Sequence, residues 1–277
     1  MLKKCFSNKK FVVGFIILVP LIIVMIFGNF LVPNDPYALD TVNMLKNSSA
    51  KYPLGTDEYG RCILTRLILG IRPSMMVALG GTAISFAGGT LLGVAAGYLE
   101  GRIGAVIMRG IDIILCFPPI LLAMIIAGLW GAGVINLMLV IGILYIPHFS
   151  RVAYSSTLQV RKMEYVESDL SIGAAPSAIM WKAIFPNIIS VLIVQVSTTI
   201  SNAILLESGL SFLGLGVQPP TPSWGQMIGS ARGYLNVNVM YLFWPAVCLC
   251  LTILAVNLMG DAIRDILDDG CVRYEIG

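Results

Sequence analysis

Residues 113–150 carry no formally charged side chain. As one helix this run would measure about 57 Å, against a bilayer hydrocarbon core of roughly 30 Å. It must fold back on itself, and Gly131-Ala132-Gly133 is the place where the sequence allows it. Uncharged apolar runs also cover residues 11–32, 73–99, 183–206 and 233–260. A water-soluble domain is about 25% charged, whereas this chain is 57% hydrophobic and 12% charged. The expected fold is all-α: a polytopic membrane protein with six transmembrane helices, at 11–32, 73–99, 110–130, 134–150, 183–206 and 233–260. No sizeable soluble domain fits between them.

The first run follows Lys3, Lys4, Lys9 and Lys10. It is longer than the apolar core of a signal peptide and no small-residue cleavage site follows it, so it reads as the first span. Six spans put both termini on one side. Twelve of the 18 Lys and Arg residues then fall on that side and six on the other. The positive-inside rule makes the richer side cytoplasmic. The net charge of +3 is explained by this topology, so no nucleic-acid partner is expected.

Two connecting stretches have character of their own. In the stretch 52–74, Thr56 or Asp57 can cap a helix with Ile63, Leu64, Leu67 and Ile68 on one face, which reads as an interfacial helix leading into the second span. Residues 208–231 are uncharged, yet Gly209, Gly214, Gly216, Pro219, Pro220, Pro222, Gly225 and Gly229 oppose a regular helix. They read as external or re-entrant structure.

The most informative stretch is polar. Residues 164–187, EYVESDLSIGAAPSAIMWKAIFPN, lie on the cytoplasmic side. Glu164 and Glu167 suit the start of a short helix. Gly173 permits a break, Ala174 and Ala175 lead into a second helix with Pro176 in its first turn, and Pro186 is expected to bend the chain at Phe185. The expected shape is a helix-turn-helix elbow whose small tip residues let another protein approach closely.

This elbow resembles the "EAA loop" of bacterial ATP-binding cassette (ABC) importer permeases. Glu167, Ser168 and Asp169 stand at its Glu-Ala-Ala, Gly173 at its Gly, Ala183 at its Ile, Phe185 at its Leu and Pro186 at its Pro. Asp169 departs from the pattern by placing a charge at the second Ala. Leu54, Gly55, Thr56, Asp57, Gly60 and Arg61 resemble the "LGTDxxGRD" segment of the dipeptide, oligopeptide and nickel permease family, with Cys62 at its last Asp. LSFLGLGVQPPTPSWG, residues 210–225, resembles the same family along its whole length.

The resemblance covers residues 52–265 and implies a type I ABC importer permease fold. It implies residues 1–70 as tail, first helix and external loop, 71–265 as a five-helix permease core, and 266–277 as a cytoplasmic tail. It implies a multi-pass subunit of the bacterial plasma (inner) membrane that carries peptides or nickel. Such a subunit pairs with a second homologous permease, two cytoplasmic ABC ATPase subunits and an extracellular or periplasmic substrate-binding protein. Contact with the ATPase is implied for Glu167, Ser168, Asp169, Gly173, Ala174, Ala175 and Pro186.

The remaining chemistry is sparse. No G-x-x-x-x-G-K-[ST] phosphate loop occurs, so ATP hydrolysis belongs on other subunits. The chain has one histidine, His148 at a span end, and six scattered cysteines, with Cys248 and Cys250 in one span. No cofactor, metal site, catalytic constellation or disulfide framework is expected. Arg109 and Asp112 read as a helical pair, and Glu207 as a carboxylate bordering the fifth span, either functional or snorkelled. A secondary transporter or channel independent of ATPases is the alternative, but it would need internal repeats or midplane charges, and neither is evident.

The topology predicts that a cysteine placed at Asn47 reacts with an impermeant thiol reagent added outside intact cells, whereas one placed at Gly173 does not. Labelling at Gly173 would overturn it.

Overall fold

The computed structural model describes the backbone of residues 8–271 and the side chains of residues 8–267. Lys3, Lys4, Cys5 and Arg273 lie outside the described residues. Five helices are long and apolar enough to cross a membrane, and the count reaches six when the bent pair Gly101–Leu115 and Pro119–Trp130 is taken as one span. α1 (Lys9–Leu31) starts at Asn8, whose side chain accepts a hydrogen bond from the Lys10 amide at 2.9 Å. A loop with a short 3-10 turn leads to α2 (Ile63–Leu99). α3 (Gly101–Leu115), α4 (Pro119–Trp130) and α5 (Val134–Val160) follow. The elbow comes next, with α6 (Glu164–Ser171) and α7 (Pro176–Ala178). α7 runs through a π-helical segment (Ile179–Ile184) into α8 (Phe185–Phe212), and α9 (Trp224–Ala231) and α10 (Val239–Cys271) complete the chain.

Several expected boundaries shift, each for a local reason. The third span is not one helix over 110–130, because α3 and α4 meet at 86°. Pro118 disfavours helical geometry at Phe117, and Pro119 opens the next helix as its first residue. The charged turn expected over 100–109 shrinks to Glu100 and Gly101, both at positive φ, and Arg102 and Arg109 belong to α3.

α2 absorbs the expected interfacial helix into one helix with Pro73 inside it. Its N-cap is Cys62, and Thr56 and Asp57 do not cap it. The Thr56 hydroxyl instead takes a hydrogen bond from the Lys46 amide, and Asp57 pairs with Arg61 at 2.6 Å. Ile63 and Leu67 are buried in the main core rather than at an interface.

Pro186 does not bend the chain. Phe185 is helical at φ −54 and ψ −44, and residues Pro176–Phe212 form one apolar helical run. A proline cannot donate the backbone bond of a helix interior. The π-helical turn just before it widens the ladder there, and the missing donor then falls at a change of register. In the 208–231 stretch, α8 runs on to Phe212, and the chain then turns through a cis Pro219-Pro220 bond into α9. α10 continues past residue 265 to Cys271.

The helices share two ends. Lys10 at the start of α1 pairs with Asp265 of α10 at 3.0 Å. Glu100 at the end of α2 pairs with Arg161 at the end of α5, and the elbow follows from there. We call this the elbow end. At the opposite end, Arg66 donates to the Pro220 carbonyl at 3.2 Å, and the Trp224 indole N–H donates to the Leu67 carbonyl at 3.1 Å. Arg109 and Asp112 do not pair among the described residues; Asp112 reaches Arg151 of α5 at 2.7 Å.

The closest helix packing is between α2 and α5. Gly81, Gly89, Gly93 and Gly97 recur on one face of α2, with Ser85 in register between the first two. A Cβ on Gly93 would stand 2.4 Å from the Ser150 carbonyl oxygen, and one on Gly97 would stand 2.7 Å from Thr157 Cβ. Small residues allow this approach, which van der Waals contact then rewards. Gly93→Ala is expected to destabilise the chain by about 1–3 kcal/mol through overpacking. Gly110→Ala, where a Cβ meets nothing within 4 Å, should leave stability unchanged or slightly raised. Thermal melting of the two variants in detergent, side by side, checks the contrast.

Candidate functional site: the elbow

α6 begins after Met163 with Glu164 and Glu167 in its first turn, where carboxylates oppose the positive end of the helix dipole. It ends in a Schellman motif. The Gly173 amide donates to the Leu170 carbonyl at 3.1 Å, and the Ala174 amide donates to the Asp169 carbonyl at 3.0 Å. That motif needs a left-handed residue at the turn, and Gly173 supplies it at φ +78. Ala175 is extended and Pro176 starts α7, as the sequence led us to expect.

The elbow is fixed from beneath. Val166 of α6 is fully buried, in a core cluster with Ile179, Ile184, Ile188 and Leu192 from the run into α8. The same cluster takes in Val94 and Tyr98 of α2 and Phe149 and Ala153 of α5. The elbow is therefore packed against both partners of the tightest helix seam.

Its outer surface is open. Glu167, Ser168, Gly173, Ala175 and Pro186 are exposed, and Asp169 and Ala174 are half-buried. A Cβ on Gly173 would meet nothing within 4 Å, so this chain itself does not require a small residue there for space. No salt bridge reaches Glu167 among the described residues; the Ser171 hydroxyl donates to its backbone carbonyl at 2.9 Å.

Sequence reasoning missed one feature of this surface. Met163, Tyr165, Leu170, Ile172 and Trp181 are all exposed, Ile172 by 78%. A cluster of large apolar side chains at the polar end of a membrane protein marks an interaction surface. The signal lay in the sequence as five apolar residues within a charged loop.

A second constellation lies at the opposite end. Asp57 is buried and pairs with Arg61 at 2.6 Å and with Arg66 at 3.5 Å. Glu58 pairs with Arg61 at 3.6 Å and accepts a hydrogen bond from the Tyr241 hydroxyl of α10. Asp40, in the loop after α1, is held down at about 2 by hydrogen bonds from Asn43 and Tyr52. Glu207 does not border its span or snorkel. It is fully buried within α8, where the Ser211 and Ser208 hydroxyls donate to it at 2.7 and 3.3 Å. His148 lies within α5, half-buried, with its ring 5.3 Å from that of Tyr145.

Comparison with known proteins places this architecture. Residues 89–272 match the family described as the binding-protein-dependent transport system inner membrane component. Residues 1–50 match the N-terminal transmembrane domain of oligopeptide transport permease C. The chain is 38% identical over 94% of its length to the di/tripeptide transport system permease protein DppC of Pseudomonas aeruginosa, covering 88% of that protein. It is 38% identical over 91% of its length to the probable D,D-dipeptide transport system permease protein DdpC of Escherichia coli, covering 85% of it. To the glutathione transport system permease protein GsiD of Pectobacterium atrosepticum it is 36% identical over 90% of its length, covering 83% of it. A solved structure of the MetNI methionine ABC transporter superposes with a TM-score of 0.62 at 16% identity, over 74% of this chain and 97% of that one, which shows the shared fold. The chain belongs to the binding-protein-dependent transport system inner membrane components, the permease subunits of ATP-binding cassette importers.

Proposed function

We propose that this chain forms half of the membrane pathway of an importer of short peptides, and that the elbow is where ATP hydrolysis on other subunits is coupled to transport. The peptide class follows the relatives, whose names specify dipeptides, tripeptides and glutathione. A second, homologous permease supplies the other half of the pathway, two cytoplasmic ATPases supply the energy, and an external binding protein delivers the peptide. The elbow end, with both described chain ends, is cytoplasmic.

The observation that carries the coupling role is the open apolar surface around Gly173, mounted on a buried base. Ile172 and Leu170 offer apolar area to a soluble partner, and Glu167 offers an exposed carboxylate that no salt bridge reaches among the described residues. Closure of the two ATPases on ATP pushes on this surface. Val166, Ile179 and Ile184 pass the displacement to α2, α5 and α8, which open the pathway alternately to either side.

Replacements at the elbow test this. Gly173→Trp keeps a positive φ only with strain of about 1–2 kcal/mol and puts a large ring into the contact, so loss of both ATPase co-purification and peptide uptake is expected. Ile172→Asp, which leaves the backbone alone, should lower both by about tenfold through an unpaired charge in a desolvated contact. Glu167→Ala should weaken assembly measurably only if its partner is shielded, since an exposed pair contributes about 0–1 kcal/mol. Wild-type assembly and uptake in both Gly173→Trp and Ile172→Asp, at equal membrane abundance, would remove the coupling role.

A further inference from the structure

α1 is held to the rest of the chain at two points, and between them it stands over a groove. Its buried residues are Gly14 and Gly28. A Cβ on Gly14 would stand 3.0 Å from the Ala255 carbonyl oxygen of α10, and one on Gly28 would stand 3.2 Å from the Ile68 side chain of α2. Between these contacts α1, α2, α8 and α10 enclose a groove of about 390 Å³. Ile22 and Ile26 of α1, Leu79 of α2 and Ile193 of α8 line it and are exposed, while Met75 and Val256 line it from the buried side. Ser197 is the only polar side chain lining it among the described residues, and its hydroxyl donates to the Val194 carbonyl at 2.8 Å. An apolar slot with no free hydrogen-bonding group does not hold ordered water. All four walls are helices apolar enough to cross a membrane, so the filler that suits the groove is hydrocarbon.

One end of the groove carries a cation. Arg72 of α2 reaches across to α1, where its Nε donates to the Met25 carbonyl and its Nη2 to the Ile26 carbonyl, both at 2.6 Å. Its Nη1 donates to the Asn29 side chain at 3.2 Å. Met25 and Ile26 both line the groove. A guanidinium has further N–H donors beyond these, and no carboxylate pairs with Arg72 among the described residues. Bracing of α1 explains the three hydrogen bonds but not the charge, because a neutral amide can donate to the same carbonyls. Arg72 is the last charged residue before the uncharged run 73–99. The elbow end of the groove differs. Near Ile263, Lys10 pairs with Asp265 at 3.0 Å and Arg264 also stands close to Asp265, so charges of both signs already meet there. An unopposed positive charge is found at the Arg72 end alone among the described residues.

We propose that this groove and Arg72 form a binding site for one anionic phospholipid, with an acyl chain in the groove and the phosphodiester on Arg72. The planar fork of an arginine fits phosphate oxygens, and basic side chains between membrane helices are the groups that select anionic head groups. The apolar walls do not distinguish one head group from another, so the groove supplies affinity for the chain and Arg72 supplies the choice of head. A helix of the second permease also suits the apolar walls, but it would have to bring a carboxylate to Arg72 or leave the charge buried and unpaired. The lipid meets both the walls and the charge. Once bound, it fills the space between α1 and α8 and fixes α1 on the core.

The test uses the whole importer complex, purified in detergent and washed free of loosely held lipid. Native mass spectrometry should find phosphatidylglycerol retained on the complex. Added phosphatidylglycerol should raise the melting temperature more than added phosphatidylcholine, and inorganic phosphate at the same concentration should not raise it. Arg72→Gln, which keeps an amide donor for the α1 carbonyls, should weaken phosphatidylglycerol binding about tenfold and leave phosphatidylcholine binding unchanged. Leu79→Trp, which fills the groove, should weaken the binding of both lipids. Equal stabilisation of the wild-type complex by the two lipids would overturn the site, as would an undiminished preference for phosphatidylglycerol in Arg72→Gln, which marks a bracing role alone. Stabilisation by inorganic phosphate to the same extent would also overturn it. So would a disulfide or bifunctional cross-link from Leu79→Cys to the second permease, which places a protein helix in the groove.

Discussion

The close approach of α2 and α5 is the contact on which the rest of the molecule is hung. Glycines every four or eight residues bring the two backbones together over four turns, from Gly81 against Ile141 to Gly97 against Thr157. In a bilayer there is no hydrophobic gain from bringing apolar helices together, so packing quality has to supply the association. Both core clusters draw on this pair: Val77, Ala78, Ile141 and Leu144 belong to one, and Val94, Phe149 and Ala153 to the other. The first cluster gathers α9 and α10 at the end opposite the elbow; the second seats the elbow.

The opposite end is built on different physics. There the chain buries Asp57, Glu58, Arg61 and Arg66 together, with Tyr241 and the carbonyl of Pro220 closing the network. Removing one partner from such a group typically costs about 3–5 kcal/mol, because an uncompensated charge is left behind. The network ties four separate pieces of chain: the loop after α1, the first turn of α2, the 213–223 loop and the start of α10. A buried, ion-paired cap thus stands at one end and an open, apolar-tipped elbow at the other.

The span count, the elbow and its glycine were legible in the sequence because each has a local cause. Uncharged length decides whether a run can span, and Gly173 followed by Pro176 decides where a helix stops and the next begins. What was not legible depended on tertiary context. Pro186 carries a strong local bias against helix at Phe185, and the π-helical turn over Ile179–Ile184 overrides it with the burial of Ile179, Ala183 and Ile184. Asp57 has every local mark of a helix cap, yet two arginines claim it. Asp112 had a plausible partner three residues away in Arg109, and the structure gives it Arg151, 39 residues on. Asp112 found its partner far along the chain, whereas Asp57 was claimed by arginines only four and nine residues on.

The elbow is joined by one helix to the tightest seam in the molecule. α5 packs against α2 from Ile141 to Thr157 and ends at Val160, four residues before α6 begins. Packed interiors transmit displacement and switch between arrangements; they do not deform smoothly. On the proposed coupling reading, a push on the exposed apolar tip of the elbow is carried through Val166 and Ile184 into the α2–α5 seam, because those side chains share one buried cluster with Val94 of α2 and Phe149 of α5.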